Sequence, residues 1–282
     1  MYTVFLLSSL LDEISPHHQK NNCIFTTNIQ ILYMMSRFTY DDDDIKGLRI
    51  ITPMEKIIER NDRSEYTNTD LVKTLSDLAT RKYETGDLSK VFDQLAICLL
   101  RQTVIATPND NFFLREVEFY YYDKDSHPDS YAHNNKRQLT FGEWYFHRFT
   151  EIEPFMKSNR NGIDITFGNE QKEIYGGVLI RKIQNARTGD LFAGINNVVK
   201  ELIRNIGKEN VKHLASGKGQ FAFDKEQIMR LEKGNHLFSS PIFKSPRNGL
   251  TFKNEETSNK FHKASYCYFN HDSNIIEVRP GI

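Results

Sequence analysis

Glu116, Glu118 and Tyr120 stand at alternate positions of the run Glu116-Val117-Glu118-Phe119-Tyr120. In an extended strand, alternate side chains share a face and lie about 7 Å apart. Leu114, Glu116, Glu118 and Tyr120 then point one way, and Arg115, Val117, Phe119 and Tyr121 the other. Two carboxylates at that spacing suit general-base work, because the charge on one raises the proton affinity of the other. The bland alternative is an edge strand with a solvated acidic face. Just downstream, Asp123, Asp125, His127, Asp129, His133 and His147 crowd together. A hard-metal nuclease built from Glu116, Glu118 and Asp123 is one reading of that crowd. A polar loop after a strand is the other, since no zinc-type spacing is present.

Other motifs fail on their neighbours. A calcium loop starting at Asp42 would have Lys46 at its fifth position and Pro53 at its twelfth, with no closing glutamate. Gly217-Lys218-Gly219 lacks the glycine spacing and the following Ser/Thr of a triphosphate loop. His127-Pro128-Asp129 is the hallmark of a chaperone-binding helical hairpin, but here it follows a strand and has no basic helix beside it.

The chain has 282 residues, 39% of them hydrophobic before glycine is counted. That suffices for one large or two modest domains with a buried core. The first long apolar run, residues 4–7, is far short of a membrane span, and no basic residue precedes it as in a secretory leader. An intracellular protein without a membrane partner is expected. Cys23, Cys98 and Cys267 are scattered, which suggests neither a disulfide framework nor a zinc knuckle. The net charge is zero, yet residues 1–153 sum to −7, residues 154–254 to +8 and the tail to −1. A basic, phosphate-facing half joined to an acidic extension gives such a split; so does chance segregation of solvated charge.

Residues 1–65 show no lasting period and read as an accessory, poorly ordered extension. From Thr69, Leu71, Val72, Leu75 and Leu78 follow helical spacing, with Thr69 or Asp70 as the cap and Gly86-Asp87 as a break. A second helix over 88–100 presents Val91, Phe92, Leu95, Leu99 and Leu100. Strands are predicted over 103–106 and 112–122, joined by the Pro108-Asn109-Asp110-Asn111 turn, and over 144–149, 162–167 and 177–183. A helix with Val198, Val199, Leu202, Ile203 and Ile206 inward comes next, then strands over 263–269 and 274–278. The order predicts an α+β fold, a single mixed sheet with flanking helices.

Five blocks in sequence resemble the alkyladenine (3-methyladenine) DNA glycosylases over about residues 90–280. They are Leu95-Ala96-Ile97-Cys98-Leu99-Leu100, Glu116-Val117-Glu118-Phe119-Tyr120, Ala132-His133 with Arg137-Gln138, Val178-Leu179-Ile180-Arg181, and Ser245-Pro246-Arg247-Asn248-Gly249. The resemblance implies one domain over 66–282 of that family's fold, in which Glu118 is the general base that activates water. Tyr120 and His133 would sandwich a flipped purine, and Arg181 would face the pocket. Arg247 and Lys218 would contact nucleic acid, and no cofactor or metal is needed. The implied activity is hydrolysis of the N-glycosidic bond of a damaged purine in DNA by base flipping.

This chain departs from the family's text in ways that mark a divergent branch. Gly162-Ile163-Asp164 replaces a Gly-x-Tyr wedge and puts an acid where phosphates would crowd. Ser216-Gly217-Lys218-Gly219 replaces a Ser-Gly-Pro-Gly loop, and Trp144-Tyr145-Phe146-His147-Arg148 is not the family's usual sequence. RNA or a free nucleoside is therefore open as a substrate beside DNA. A catalytically silent nucleic-acid- or partner-binding module on the same fold, or the metal-dependent nuclease, is the alternative.

Overall fold

The computed structural model describes residues 55–56, 68–81, 83, 85–216, 221–234, 241–251 and 260–270. The extension read over 1–65 lies almost wholly outside the described residues, as do the strand predicted over 274–278 and Lys218. The elements in chain order are β1 (Glu55–Lys56), α1 (Asn68–Thr80), α2 (Thr85–Gln102), β2 (Thr103–Ala106), β3 (Asn111–Tyr122), β4 (Phe141–Phe146), α3 (Ile152–Lys157), β5 (Ile163–Phe167), β6 (Tyr175–Asn185), β7 (Leu191–Ala193), α4 (Ile195–Ile206), α5 (Lys208–Ser216), β8 (Arg230–Lys233), β9 (Ile242–Ser245) and β10 (Cys267–Asn270).

The helices form where apolar residues recur with helical period. Leu71, Leu75 and Leu78 bury one side of α1; Leu88, Phe92, Leu95, Leu99 and Leu100 bury one side of α2. Gly86-Asp87, expected to break the helix, lies instead in the first turn of α2, where Asp87 complements the positive end of the helix dipole. In α4 the inward set is Val198, Val199, Leu202, Ile203 and Ile206, as the periodicity predicts.

The strands form a ten-stranded curled sheet in the order β1-β9-β10-β3-β6-β5-β4, with β2 bridging β3 to β8 and β7 beside β6. Every pairing among the described residues is antiparallel, so the α+β class holds and the expected mixed sheet is corrected to an antiparallel one. Long β3 lies at the centre, with β6 along one edge and β2 and β10 sharing the other. Val117, Phe119 and Tyr121 enter the hydrophobic core with Val178, Ile180, Ile165, Phe167 and Trp144. Phe92 of α2 stacks on Phe119 at 4.5 Å between ring centroids and locks that helix to the sheet.

The β3–β6 ladder is irregular between Leu114 and Val117. Leu114, which simple alternation puts beside Glu116, is buried in the hydrophobic core instead. Alternation does hold from Glu116 onward, and it leaves Glu116, Glu118 and Tyr120 turned away from the core. On that face the ladders align Ser245, Cys267, Glu118, Leu179, Asp164 and Tyr145 in one row across β9, β10, β3, β6, β5 and β4.

Candidate functional site

Glu116 and Glu118 are 1% and 0% exposed, which rules out the solvated edge-strand reading. Burying two carboxylates this deeply demands compensating donors. Arg181 on the neighbouring strand supplies them: its Nε lies 3.0 Å from Glu116 Oε1 and 3.3 Å from Glu118 Oε1, and it donates from NH1 to Glu118 Oε2 at 3.3 Å. Burial works against the Arg181 charge, but Glu118 and Glu116 outweigh it and hold its pKa above the ordinary value. The Tyr120 hydroxyl donates to Glu118 Oε2 at 2.9 Å. Burial, and then the Glu118 charge, hold the Tyr120 phenol protonated far into the alkaline range.

The loop after β9 completes the shell. Gly249 takes φ +70°, a left-handed conformation that suits glycine, and lets the chain turn so that neighbouring residues serve opposite sides. The Asn248 backbone N–H donates to Glu118 Oε1 at 2.7 Å; its side-chain amide donates to both glutamates at 3.3 Å. Arg247 turns inward, where its NH1 donates to Asp129 Oδ2 at 2.6 Å in a pair with both side chains fully buried. It also donates to the carbonyls of Phe119 and Phe261 at 3.3 and 3.1 Å. The Arg247 guanidinium sits 4.5 Å from the Tyr120 ring centroid. The expected nucleic-acid contact by Arg247 is thus corrected, because a buried, paired guanidinium cannot reach a phosphate. Its work is to back the Tyr120 ring and anchor the loop.

The tripeptide His127-Pro128-Asp129 is equally internal. His127 is buried among Tyr121, Phe261 and Tyr266, at 5.6, 4.6 and 5.8 Å between ring centroids. Burial, then Arg247 and Lys260, push its pKa down to about 3. The unfolded chain binds that proton near pH 6.5, so stability is complete above that value and falls as the pH drops toward 3. The loss from this group amounts to about 2 kcal/mol at pH 5. His127→Phe should flatten the acid limb of a plot of denaturation midpoint against pH. An unchanged limb would place the acid sensitivity elsewhere.

His133 does not meet Tyr120 in a sandwich among the contacts of this structure. Its exposed ring stands edge-on to His147, with centroids 4.9 Å apart. His147 Nε2 lies 2.7 Å from Asp164 Oδ1, and the Gln138 amide donates to Asp164 Oδ2 at 3.1 Å. Asp164, expected to confront phosphates, is 0% exposed in the middle of β5, on the sheet face that carries Glu118. Only a glycine fits next to it, because a methyl group on Gly177 would come within 2.6 Å of Asp164 Oδ2.

Glu116, Glu118 and Cys267 bring one potential ligand atom each to within 4.8 Å of one another. An ion there would have to displace Arg181. The set foreseen for a metal-dependent nuclease does not assemble, because Asp123 turns its Oδ1 to the backbone N–H groups of Asp125 and Ser126, at 2.9 and 3.1 Å, and caps a turn. Four cations of the basic segment 154–254 take part in ion pairs, of which Arg187 and Lys208 remain exposed. Arg187 pairs with Asp110, Lys208 with Glu153, Arg230 with Glu232 and Lys244 with Asp93.

Asn248, Cys267, Gln138, His147 and Asp129 are partners that residue-by-residue reading did not assign. Asn248 was quoted within its loop, and the period-two spacing of Tyr145 and His147 was the available signal for the second cluster. No model of a known protein family matches the chain. An uncharacterized protein of Acanthamoeba polyphaga mimivirus is 30% identical over 173 residues, covering 57% of this chain and 79% of the viral one. The chain belongs to the same family as that viral protein. Among the described residues no helix is long and apolar enough to cross a membrane.

Proposed function

We propose that this protein hydrolyses the N-glycosidic bond of a modified purine, acting on DNA as a divergent relative of the alkyladenine DNA glycosylases, in the manner of base-excision repair. The supporting observation is the Glu118 carboxylate itself: buried on the central strand, held from two sides, and next to an aromatic ring backed by a cation. Its short bonds, to the Asn248 N–H at 2.7 Å and the Tyr120 hydroxyl at 2.9 Å, fix its orientation. The contacts at 3.3 Å from Arg181 and the Asn248 amide are the weaker ones, which a water can replace. In this scheme Glu118 takes a proton from that water as its oxygen attacks the anomeric carbon, while Arg181 stays paired with Glu116 at 3.0 Å beside it. A base extruded from the stack lies against the Tyr120 ring. No metal or cofactor takes part.

A second reading keeps the fold and drops the reaction, since five donor contacts on one carboxylate also describe a structural cross-brace. The two part on one experiment. The protein is incubated in excess EDTA with duplex and single-stranded oligonucleotides, DNA and RNA, carrying alkylated or deaminated purines, and with the free nucleosides; released base is read by mass spectrometry. Free base in EDTA supports the glycosidic reading and names the substrate. Salt-sensitive binding without release supports the binding module.

A further inference from the structure

Lys182 stands at the edge of the Glu116–Glu118 cluster, and base release by Glu118 leaves its amine unused. The irregular β3–β6 ladder puts it there. Ile180 and Ile183 of β6 both enter the hydrophobic core, although regular alternation sends residues three apart to opposite faces. The irregularity opposite Leu114, Glu116 and Val117 reconciles them, and it turns both Arg181 and Lys182 toward Glu116. Lys182 Nζ lies 3.8 Å from Glu116 Oε2, while Arg181, Asn248 and Cys267 address Oε1 at 3.0, 3.3 and 3.6 Å. One oxygen of Glu116 and one of Glu118 are within 4.8 Å of each other, so the amine stands one carboxylate beyond the base. It is also on the accessible side of the cluster, with its side chain 16% exposed against 2% for Glu116.

We propose that Lys182 forms a Schiff base with the abasic sugar left after base release, and that the protein thereby cuts the strand at its own product. The proposal rests on the glycosidic reading of Glu118, because hydrolysis there leaves a sugar whose anomeric carbon opens to an aldehyde. The ammonium of Lys182 first gives a proton to Glu116, and the free amine adds to the aldehyde carbon. Glu116 returns that proton to the new hydroxyl, which leaves as water, and a cationic imine remains. Glu116, again a carboxylate, then takes a proton from the adjacent C2′. The electron pair moves toward the imine, the C3′–O bond breaks, and the phosphate that joined the sugar to the next nucleotide departs with the bonding pair. One water hydrolyses the imine and frees Lys182, and the proton on Glu116 passes to solvent.

The surroundings suit this second step. Glu116 already has the Arg181 charge and the Asn248 amide on Oε1, so its burial does not depend on Lys182. The 3.8 Å separation exceeds a hydrogen bond, so Glu116 does not fix the direction of the amine. The carboxylate is nonetheless near enough to exchange a proton with it once a sugar brings the groups together. An ammonium must shed a proton before it attacks, so strand scission should follow base release about tenfold more slowly, or slower still.

The test is a duplex carrying a ready-made abasic site, incubated with the full chain and sodium borohydride, which reduces an imine to a stable amine. Wild type should become joined to the strand, and mass spectrometry of the digested adduct should place the sugar on Lys182. Lys182→Arg keeps a cation beside Glu116 but cannot form the imine; Lys182→Gln removes the charge as well. Each should lower trapping, and strand scission without borohydride, by about 20-fold or more, with thermal melts verifying that both variants fold. An adduct on another amine, trapping undiminished in the variants, or none by wild type overturns the proposal and leaves Glu118 as base. The ready-made site makes trapping independent of base release. Trapping on Lys182 with no purine freed from any modified duplex would therefore overturn the glycosidic reading alone.

Discussion

Asp129→Asn is expected to destabilise the protein by about 3–5 kcal/mol, because it leaves the Arg247 guanidinium buried without its counter-charge. For a domain of this size that corresponds to a fall in Tm of about 10 °C. The pair is fully inaccessible at both ends, so solvent cannot take over the lost interaction. Arg247→Met should destabilise comparably, by stranding the carboxylate. The double variant should lose less than the sum of the two, since it removes both charges and leaves a Met against the Tyr120, Tyr131 and Tyr266 rings that Arg247 now faces. Strict additivity in chemical denaturation would mean that the pair is not coupled. The defect should also reach the site, because Arg247 underlies Tyr120 and Asn248, its neighbour in the chain, orients Glu118.

Glu118→Gln should abolish base release, by about a thousandfold, while leaving the fold intact. Glutamine keeps the shape: its single carbonyl oxygen can accept from the Asn248 N–H, while its NH2 can donate to a Tyr120 hydroxyl that turns to accept, but it cannot take a proton from water. Glu116 keeps Arg181 paired at 3.0 Å in that variant, so the guanidinium is not stranded. Glu116→Gln is the matching control. It leaves Glu118 charged and bound by Arg181, and should lower the rate by about tenfold at most. Equal losses in the two variants would say that the carboxylates act as one electrostatic cluster rather than as base and support.

The core elements were legible because their physics is local. Helix α4 declares itself by Val198, Val199, Leu202, Ile203 and Ile206, and β3 by its alternation from Glu116 to Tyr121. Leu114 was misplaced because a ladder irregularity leaves no mark in a period count. Arg247 in a Pro- and Gly-containing loop reads as a surface cation. Its burial depends on Asp129, 118 positions earlier in the chain, a partner no local pattern links to it. Asp164 was read against a tyrosine wedge, whereas its meaning comes from His147 across the β4–β5 pairing. The strand foreseen to run to 149 ends at Phe146; His147 still bonds to Gly162 across the hairpin, and the chain beyond it turns away, with Arg148 at φ +58°. Long-range pairing of polar side chains is the information that residue spacing lacks.

The most direct test of the central claim is one single-turnover series in EDTA, with wild type and Glu118→Gln at equal concentration on the same modified duplex. Free purine and abasic strand are quantified together. Equal amounts of both from wild type, and neither from Glu118→Gln with duplex binding retained, is the result that a Glu118-based glycosidic hydrolysis predicts. Release from Glu118→Gln at the wild-type rate, or none from wild type on any modified purine, would contradict it.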